Sequence, residues 1–246
     1  MNKNKVLIII PAFNEEENIG KLLDSMEKSE IAKKSDILVI NDFSKDRTVE
    51  IAESRGAKVI SQVYNMGYGA ALQLGYKYAV KNDYDYVLQL DADGQHDVAN
   101  LDMLYSCITD ESKEYDIVIG SRFLETSAKY KMGGIRLLSI KFFRMIVKLV
   151  CGATITDPTS GLQALNRKAF SYYAKYGQFD YRYPDVNMIV QMLLQGFKIG
   201  ECGAIMHQRV AGVSMHAGIW NPMKYMVLMT LSTFVAILKF GKKKAK

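Results

Sequence analysis

The 246 residues are 49% hydrophobic, enough for one substantial core or one domain with a small appendage, and the odd, scattered cysteines Cys107, Cys151 and Cys202 argue against a disulfide frame or a zinc site and for reduced thiols in a cytoplasm. The net charge of +6 hides a division. Residues 126–156 and 202–246 carry bases and no acid, which leaves 19 bases against 26 acids elsewhere, so an anionic partner is expected for the basic stretches: nucleic acid, phospholipid or a phosphorylated substrate.

Residues 5–10 form a short Ile-rich run, read as a buried strand; it is too brief for a signal-peptide core and runs into Pro11 and an acidic cluster. Asn14 is placed to cap a helix carrying Ile19, Leu22, Leu23 and Met26, with Glu15, Glu16 and Glu17 at the positive end of its dipole. Residues 36–40 read as a second strand ending at Asn41-Asp42-Phe43-Ser44. Asp46 or Ser44 caps the next helix, through Val49, Ile51 and Ala52, and Gly56 ends it. A third strand spans 58–63. The glycine loop 65–69 opens a helix through Ala70, Ala71, Leu74 and Tyr78. A fourth strand covers 84–90, a helix 98–108, and a fifth strand 116–119 that runs into Gly120-Ser121-Arg122.

Strands and helices thus alternate to residue 120, the pattern of a mainly parallel sheet covered on both faces. Ligands in such sheets lie off the carboxyl ends of the strands. Asn14, Glu15, Asp42, Asp91, Asp93 and Arg122 all fall at those ends. Asp91 and Asp93 follow a buried strand one residue apart, then Gly94, Gln95 and His96. Such a pair suits a hard divalent cation, Mg²⁺ or Mn²⁺, completed by a phosphate, although acidic turns share this composition.

After Arg122 the pattern changes. Residues 135–150 read as a helix apolar almost all round, with Lys141, Arg144 and Lys148 in a narrow stripe, suited to the core or to a membrane interface. The polar loop 156–161 precedes a short strand at 162–165. Residues 183–185 open a helix that Gly196 closes, and 198–206 read as another strand. The uncharged run 225–238 covers roughly 21 Å as a helix, short of the ~30 Å hydrocarbon core. It reads as an interfacial or re-entrant helix, one docked on a membrane partner, or an amphipathic core helix with a lysine tail.

Several chemistries are missing. No Gly-x-x-x-x-Gly-Lys-Ser/Thr phosphate loop, Gly-x-Gly-x-x-Gly turn after the first strand or Gly-x-Ser-x-Gly elbow occurs, and His96, His207 and His216 lack metal spacing. A phosphate-handling enzyme remains, with cationic side chains and a metal supplying the electrostatics.

Six segments then come in a recognisable order: Pro11-Ala12-Phe13-Asn14-Glu15-Glu16, Asn41-Asp42-Phe43-Ser44-Lys45-Asp46, Asn65 with Gly67 and Gly69, Asp91-Ala92-Asp93-Gly94-Gln95-His96, Gly120-Ser121-Arg122 and Asp157-Pro158-Thr159-Ser160-Gly161. The set resembles family 2 glycosyltransferases, above all the dolichol- and polyprenyl-phosphate mannosyl- and glucosyltransferases, over about residues 5–216. The resemblance implies an α/β, GT-A fold and an inverting, metal-dependent transfer of a hexose from a UDP- or GDP-sugar to a polyprenyl-phosphate carrier. Carried over, Pro11, Ala12, Phe13, Asn14, Glu15 and Asp42 would hold the base and ribose. Asp91 and Asp93 would serve the metal and diphosphate, with Gln95 a further ligand. Arg122, Ser160, Arg209 and Ser214 fall where the family binds phosphates or the acceptor. Asn41 stands where many members carry aspartate, and Tyr68 where many carry lysine or arginine.

Asp157 is read either as a catalytic carboxylate or as a cap on the Pro158 turn, Asp185 as an acceptor-site carboxylate or a helix cap, and Arg122 as catalytic or as a surface residue. The expected organisation is a catalytic domain over 1–216, with a nucleotide-sugar half to 122 and an acceptor half beyond it, then a membrane-associated helix over 217–246. The cytoplasmic face of a membrane, an anionic lipid surface and a small membrane-protein subunit are the expected surroundings. Nucleic acid is not, because unmetallated carboxylates repel phosphate. Two alternatives stay open: transfer to a sugar or protein hydroxyl with Asp185 as base, and a non-catalytic nucleotide-sugar or nucleic-acid binding module.

Overall fold

The computed structural model describes residues 4–128, 133–207 and 220–241. In chain order its elements are β1 (Val6–Ala12), α1 (Ile19–Ser25), β2 (Asp36–Asn41), α2 (Thr48–Ser54), β3 (Lys58–Ser61), α3 (Tyr68–Lys81), β4 (Tyr86–Gln89), α4 (Ala99–Ile108), β5 (Ile117–Ser121), α5 (Gly134–Cys151), β6 (Gln163–Asn166), α6 (Arg167–Tyr173), α7 (Val186–Leu194), β7 (Ile199–Gly203) and α8 (Trp220–Phe240).

The strands form one sheet in the order β3-β2-β1-β4-β6-β5-β7. All neighbours are parallel except β6, which runs antiparallel to both β4 and β5. The chain moves outward from β1 to β2 and β3, then returns to place β4 on the other side of β1. That reversal leaves a crevice off the carboxyl ends of β1 and β4. Because β6 runs backwards, the loop before it, rather than the one after it, arrives at the same end.

Every residue of β1 is buried, as a central strand covered on both faces requires. Leu7, Ile9, Leu38 and Ile40 point to the layer that holds α3, α5, α6, α7 and α8. Ile8, Ile10, Val39 and Leu88 point to the layer of α1, α2 and α4. Gly75 lets α3 lie directly on β1, since a Cβ there would sit 2.8 Å from the Ile9 side chain.

Several expectations change. Asn14 caps no helix: it has φ 54°, in the left-handed region that asparagine tolerates, and α1 starts at Ile19 without an acid in its first turn. The strand expected over 198–206 ends at Gly203, with Met206 bridging to His96. α6 follows β6 without a turn, its start capped by Asn166 Oδ1, which accepts from Ala169 N–H at 2.9 Å. α5 is apolar on both faces: Ile140, Phe143 and Val147 are buried, while Leu138, Met145 and Leu149 are exposed beside Lys141 and Lys148. Arg144 leaves the expected lysine stripe and stacks over the Phe123 ring, 4.3 Å from its centroid. α8 has 21 residues, not the 14 of the uncharged run, so at roughly 31 Å length no longer argues against a span. Its buried face does: Met229, Thr233, Ala236 and Phe240 pack into the protein, largely along α7. No described helix is long and apolar enough to cross a membrane.

Candidate active site

The loops after β1 and β2 are stitched together. Asn14 N–H donates to Ser44 Oγ at 2.9 Å, and Asn14 Oδ1 accepts from Lys45 N–H at 2.8 Å. Glu15 N–H donates to Thr48 Oγ1 at 2.8 Å. Glu16 N–H reaches Asp46 at 3.1 Å, and the Glu16 carboxylate takes Arg47 N–H at 3.0 Å. The left-handed turn at Asn14 makes these exchanges possible. Pro11 and Ala12 lie buried at the end of β1, and Phe13 projects from it at 46% exposure.

Asp42 is buried, and its carboxylate accepts from Met66 N–H at 2.7 Å and Gly67 N–H at 2.9 Å. It therefore holds the glycine loop that opens α3. Gly67 needs its freedom there, with φ 95°. Asn41 turns aside: it donates to Ser61 Oγ at 3.0 Å and accepts from Ser44 N–H at 2.9 Å.

At the end of β4, Asp91 is gripped from two sides. Tyr68 Oη donates to Oδ1 at 2.9 Å, and His96 Nε2 lies 3.4 Å from Oδ2. Burial works against its charge, yet the bonds from His96 and Tyr68 and the Arg122 cation hold this carboxyl below the usual carboxylate range. Tyr68 thus supplies Asp91 with a hydroxyl donor from the start of α3. Gln89 supports it from behind, donating to Gly161 O at 2.8 Å while accepting from Tyr76 Oη. Asp93 Oδ1 accepts from Gln95 N–H at 3.0 Å in the following turn.

At the end of β5, Arg122 meets Asp157 from the loop before β6. Nε and Nη2 lie 2.6 and 2.7 Å from the two carboxylate oxygens, and Arg122 N–H adds a bond of 3.1 Å. Both side chains are buried, so Arg122 is no surface residue. Asp157 serves this pair rather than simply capping the Pro158 turn. Thr159 Oγ1 takes a further Arg122 bond at 2.9 Å. Behind them Glu201 in β7, which no sequence motif marks, accepts from Thr156 and Asp157 N–H at 2.7 and 2.8 Å. Ser160 Oγ donates to Gly120 O at 2.7 Å, so this hydroxyl fastens the loop to β5.

Asp185 starts α7 without a side-chain cap bond. Its carboxylate accepts from Tyr225 Oη instead. Withdrawal from water pushes its pKa up to about 6, against the Tyr225 bond and the Arg122 charge; Asp157 pushes the same way as burial. Arg209 and Ser214 lie outside the described residues, as does His216.

The strand ends therefore bring together Asp91, Tyr68, Arg122, Asp157 and Asp185, with Asp93 and Gln95 beside them. Among the described residues no three His, Cys, Asp or Glu form a ready-made metal cage. Asp91, Asp93 and Gln95 nevertheless offer hard oxygen donors, the type that Mg²⁺ and Mn²⁺ share with a bound diphosphate and water.

The family model for Glycosyl transferase family 2 matches residues 7–173. The chain belongs to glycosyl transferase family 2. It is a glycosyltransferase with a GT-A fold, related to polyprenyl-phosphate sugar transferases. It is 33% identical over 174 residues to an uncharacterized protein of Methanocaldococcus jannaschii, covering 71% of this chain and 68% of that one. It is 29% identical over 169 residues to undecaprenyl-phosphate mannosyltransferase of Micrococcus luteus, covering 65% of each. With dolichol-phosphate mannosyltransferase of Pyrococcus furiosus it shares 31% over 170 residues, 67% of this chain and 47% of the relative. The chain therefore matches from about half to about two thirds of the length of these relatives. Glucosyl-3-phosphoglycerate synthase from Mycobacterium tuberculosis, solved with Mn²⁺, UDP and phosphoglyceric acid, superposes with a TM-score of 0.69 at 16% identity, covering 96% of this chain and 78% of that one. At that identity the likeness is one of fold.

Proposed function

We propose that this glycosyltransferase moves a hexose, with inversion, from a UDP- or GDP-sugar to a polyprenyl phosphate at a membrane surface. The observation that carries the reading is the approach of Asp91 and an immobilised Arg122 at the strand ends of a chain related to lipid-phosphate sugar transferases. In this reading residues 11–15, steadied by the 42–48 loop, take the nucleotide, and Asp42 acts through the glycine loop. Asp91, Asp93 and Gln95 would hold a Mg²⁺ or Mn²⁺ ion, whose charge would offset that developing on the leaving diphosphate. Arg122, its plane fixed by Asp157, is the cation that receives and orients the acceptor phosphate, together with Arg209 and Ser214, while Ser160 holds the loop before β6 in place. A lipid phosphate is largely dianionic at neutral pH, its second pKa being about 6, so it needs placement more than a base.

The acceptor's tail asks for an apolar surface. α5 packs on α8, with Ser139 Oγ donating to Met226 Sδ at 2.9 Å. Leu138, Met145 and Leu149 of α5 are exposed beside Lys141 and Lys148. Val227, Leu231, Phe234, Val235 and Leu238 form an exposed stripe on α8. Such faces suit an anionic bilayer, and residues 217–246 would then serve as the membrane-facing segment of a domain over 1–216. Incubating membranes and Mg²⁺ with a panel of labelled UDP- and GDP-sugars tests the reading. An acid-labile labelled lipid is expected. Label found only on water-soluble or protein acceptors overturns it.

One observation favours a second reading, transfer to a sugar or protein hydroxyl. Such an acceptor needs a base, and Asp185, raised to about 6, has the affinity for a proton that the role requires. An Asp185→Asn variant that loses nearly all transfer to a hydroxyl acceptor supports it.

A further inference from the structure

α8 enters the polar centre as well as carrying the outer apolar stripe. Tyr225 Oη donates to Asp185 Oδ2. Its ring is held edge-on by Tyr183, with centroids 5.9 Å apart. Two helical turns further along α8, Ser232 Oγ donates to Asp180 Oδ2 at 2.9 Å and accepts from Asn187 Nδ2 at 2.7 Å. Asn187 closes the arrangement, donating to Asp180 Oδ2 at 2.7 Å and accepting from Asp185 N–H at 2.9 Å. The same segment rests on the start of α3. Tyr181 O accepts from Ala70 N–H at 3.0 Å, and a Cβ on Gly69 would come within 2.3 Å of Asp180 O. A chain of direct contacts thus runs from α8 through residues 180–187 to the glycine loop, whose Tyr68 grips Asp91.

We propose that Tyr225 is a positioning residue of the transfer reaction: it fixes the Asp185 carboxylate on the acceptor side of the centre, so that seating of α8 is a condition of turnover. The inference rests on the transferase reading and holds for either acceptor. Among the described residues, Arg122 beyond β5, Arg136 in α5, Asp157 in the loop before β6 and Tyr68 in α3 are further charged or titratable groups close to Asp185. Among these groups only Tyr225 comes from α8, so its hydroxyl carries the link between that helix and the carboxylate.

The test is Tyr225→Phe in the full chain, which keeps the ring against Tyr183 and removes the hydroxyl. Turnover is expected to fall roughly tenfold, with KM for the nucleotide sugar changed by less than about twofold. The acidic limb of kcat should move to higher pH, because the lost donor had favoured the ionised carboxylate. In the Asp185→Asn background the same change should cost nothing further, since the two residues act as one unit. Hydrogen exchange over residues 180–187 should quicken while β1 and β4 stay protected. Wild-type turnover with an unmoved limb overturns the proposal, as do losses that multiply in the double variant. Should the wild-type chain transfer no sugar from any donor, the transferase reading falls on its own. The exchange measurement then decides the contact, and unchanged protection of 180–187 in Tyr225→Phe overturns it.

Discussion

The Arg122 guanidinium and the Asp157 carboxylate meet edge to edge, 2.6 and 2.7 Å apart at two points, with almost no surface of either exposed. The pair joins the end of β5 to the loop before β6 and leaves the cation with one orientation. Removing one partner strands the other as a buried charge, which typically costs about 3–5 kcal/mol. Asp157→Ala should therefore lower the urea midpoint strongly. Arg122→Lys should keep the charge, lose the two-point geometry, and lower turnover more than stability. Equal losses of both quantities in Arg122→Lys would make the pair purely structural.

Activity should vanish in EDTA and return with Mg²⁺ or Mn²⁺. Asp93→Ala should lose turnover and change its melting temperature little, because this carboxylate is only half-buried. Full activity of Asp93→Ala in chelator would remove the metal from the reaction.

Asp42 tests the glycine loop. Asp42→Ala leaves the N–H groups of Met66 and Gly67 without their partner, and nucleotide affinity should weaken by about 1–3 kcal/mol. Asp42→Asn keeps an acceptor for one of them and should lose less. Calorimetric titration with UDP and GDP reads both variants, and unchanged affinity in the alanine variant would separate the loop from nucleotide binding.

Asp185 makes a pH test of stability. Its pKa of about 6 in the folded chain lies above the ordinary carboxylate value of about 3.9. Between those values the folded state holds the proton that the unfolded state has released. The residue's contribution is therefore full below pH ~4 and is lost as pH rises through about 6. Asp185→Asn should gain on the wild type as pH goes from 4 to 7 (melting temperatures at the two ends suffice). A difference that does not change with pH would show that the carboxyl is unshifted.

The strand ends were legible because each apolar run stops at polar residues, and a parallel sheet sends those residues to one side. β6 gave no sign of its direction: four residues carry no register of their own, and only pairing with β4 and β5 decides it. Asn14 misleads because asparagine serves both as a helix cap and in left-handed turns, and only the partner loop at Ser44 and Lys45 selects the turn. α6 has little apolar periodicity, though Asn166 at its start was a readable cap. Tyr225 sits in an uncharged stretch, where a tyrosine looks like an interfacial anchor; its partner lies 40 residues away. Glu201 was visible as a lone acid in a short strand, but its two backbone partners belong to a distant loop.

The insertion of β6 between β4 and β5 bears on how the chain reaches this state. Tyr86 pairs with Asn166, and Ile117 with Leu165, so the middle of the sheet is joined by a strand made after both of its neighbours. As the chain leaves the ribosome, β1, β2 and β3 can assemble early, while β4 and β5 await the piece that fits between them. Long-range pairings of this kind close slowly and leave strand edges uncovered meanwhile. The nascent chain is therefore most exposed to aggregation between the emergence of β5 and that of β6, the interval in which α5 presents its apolar residues with no sheet yet complete beneath them.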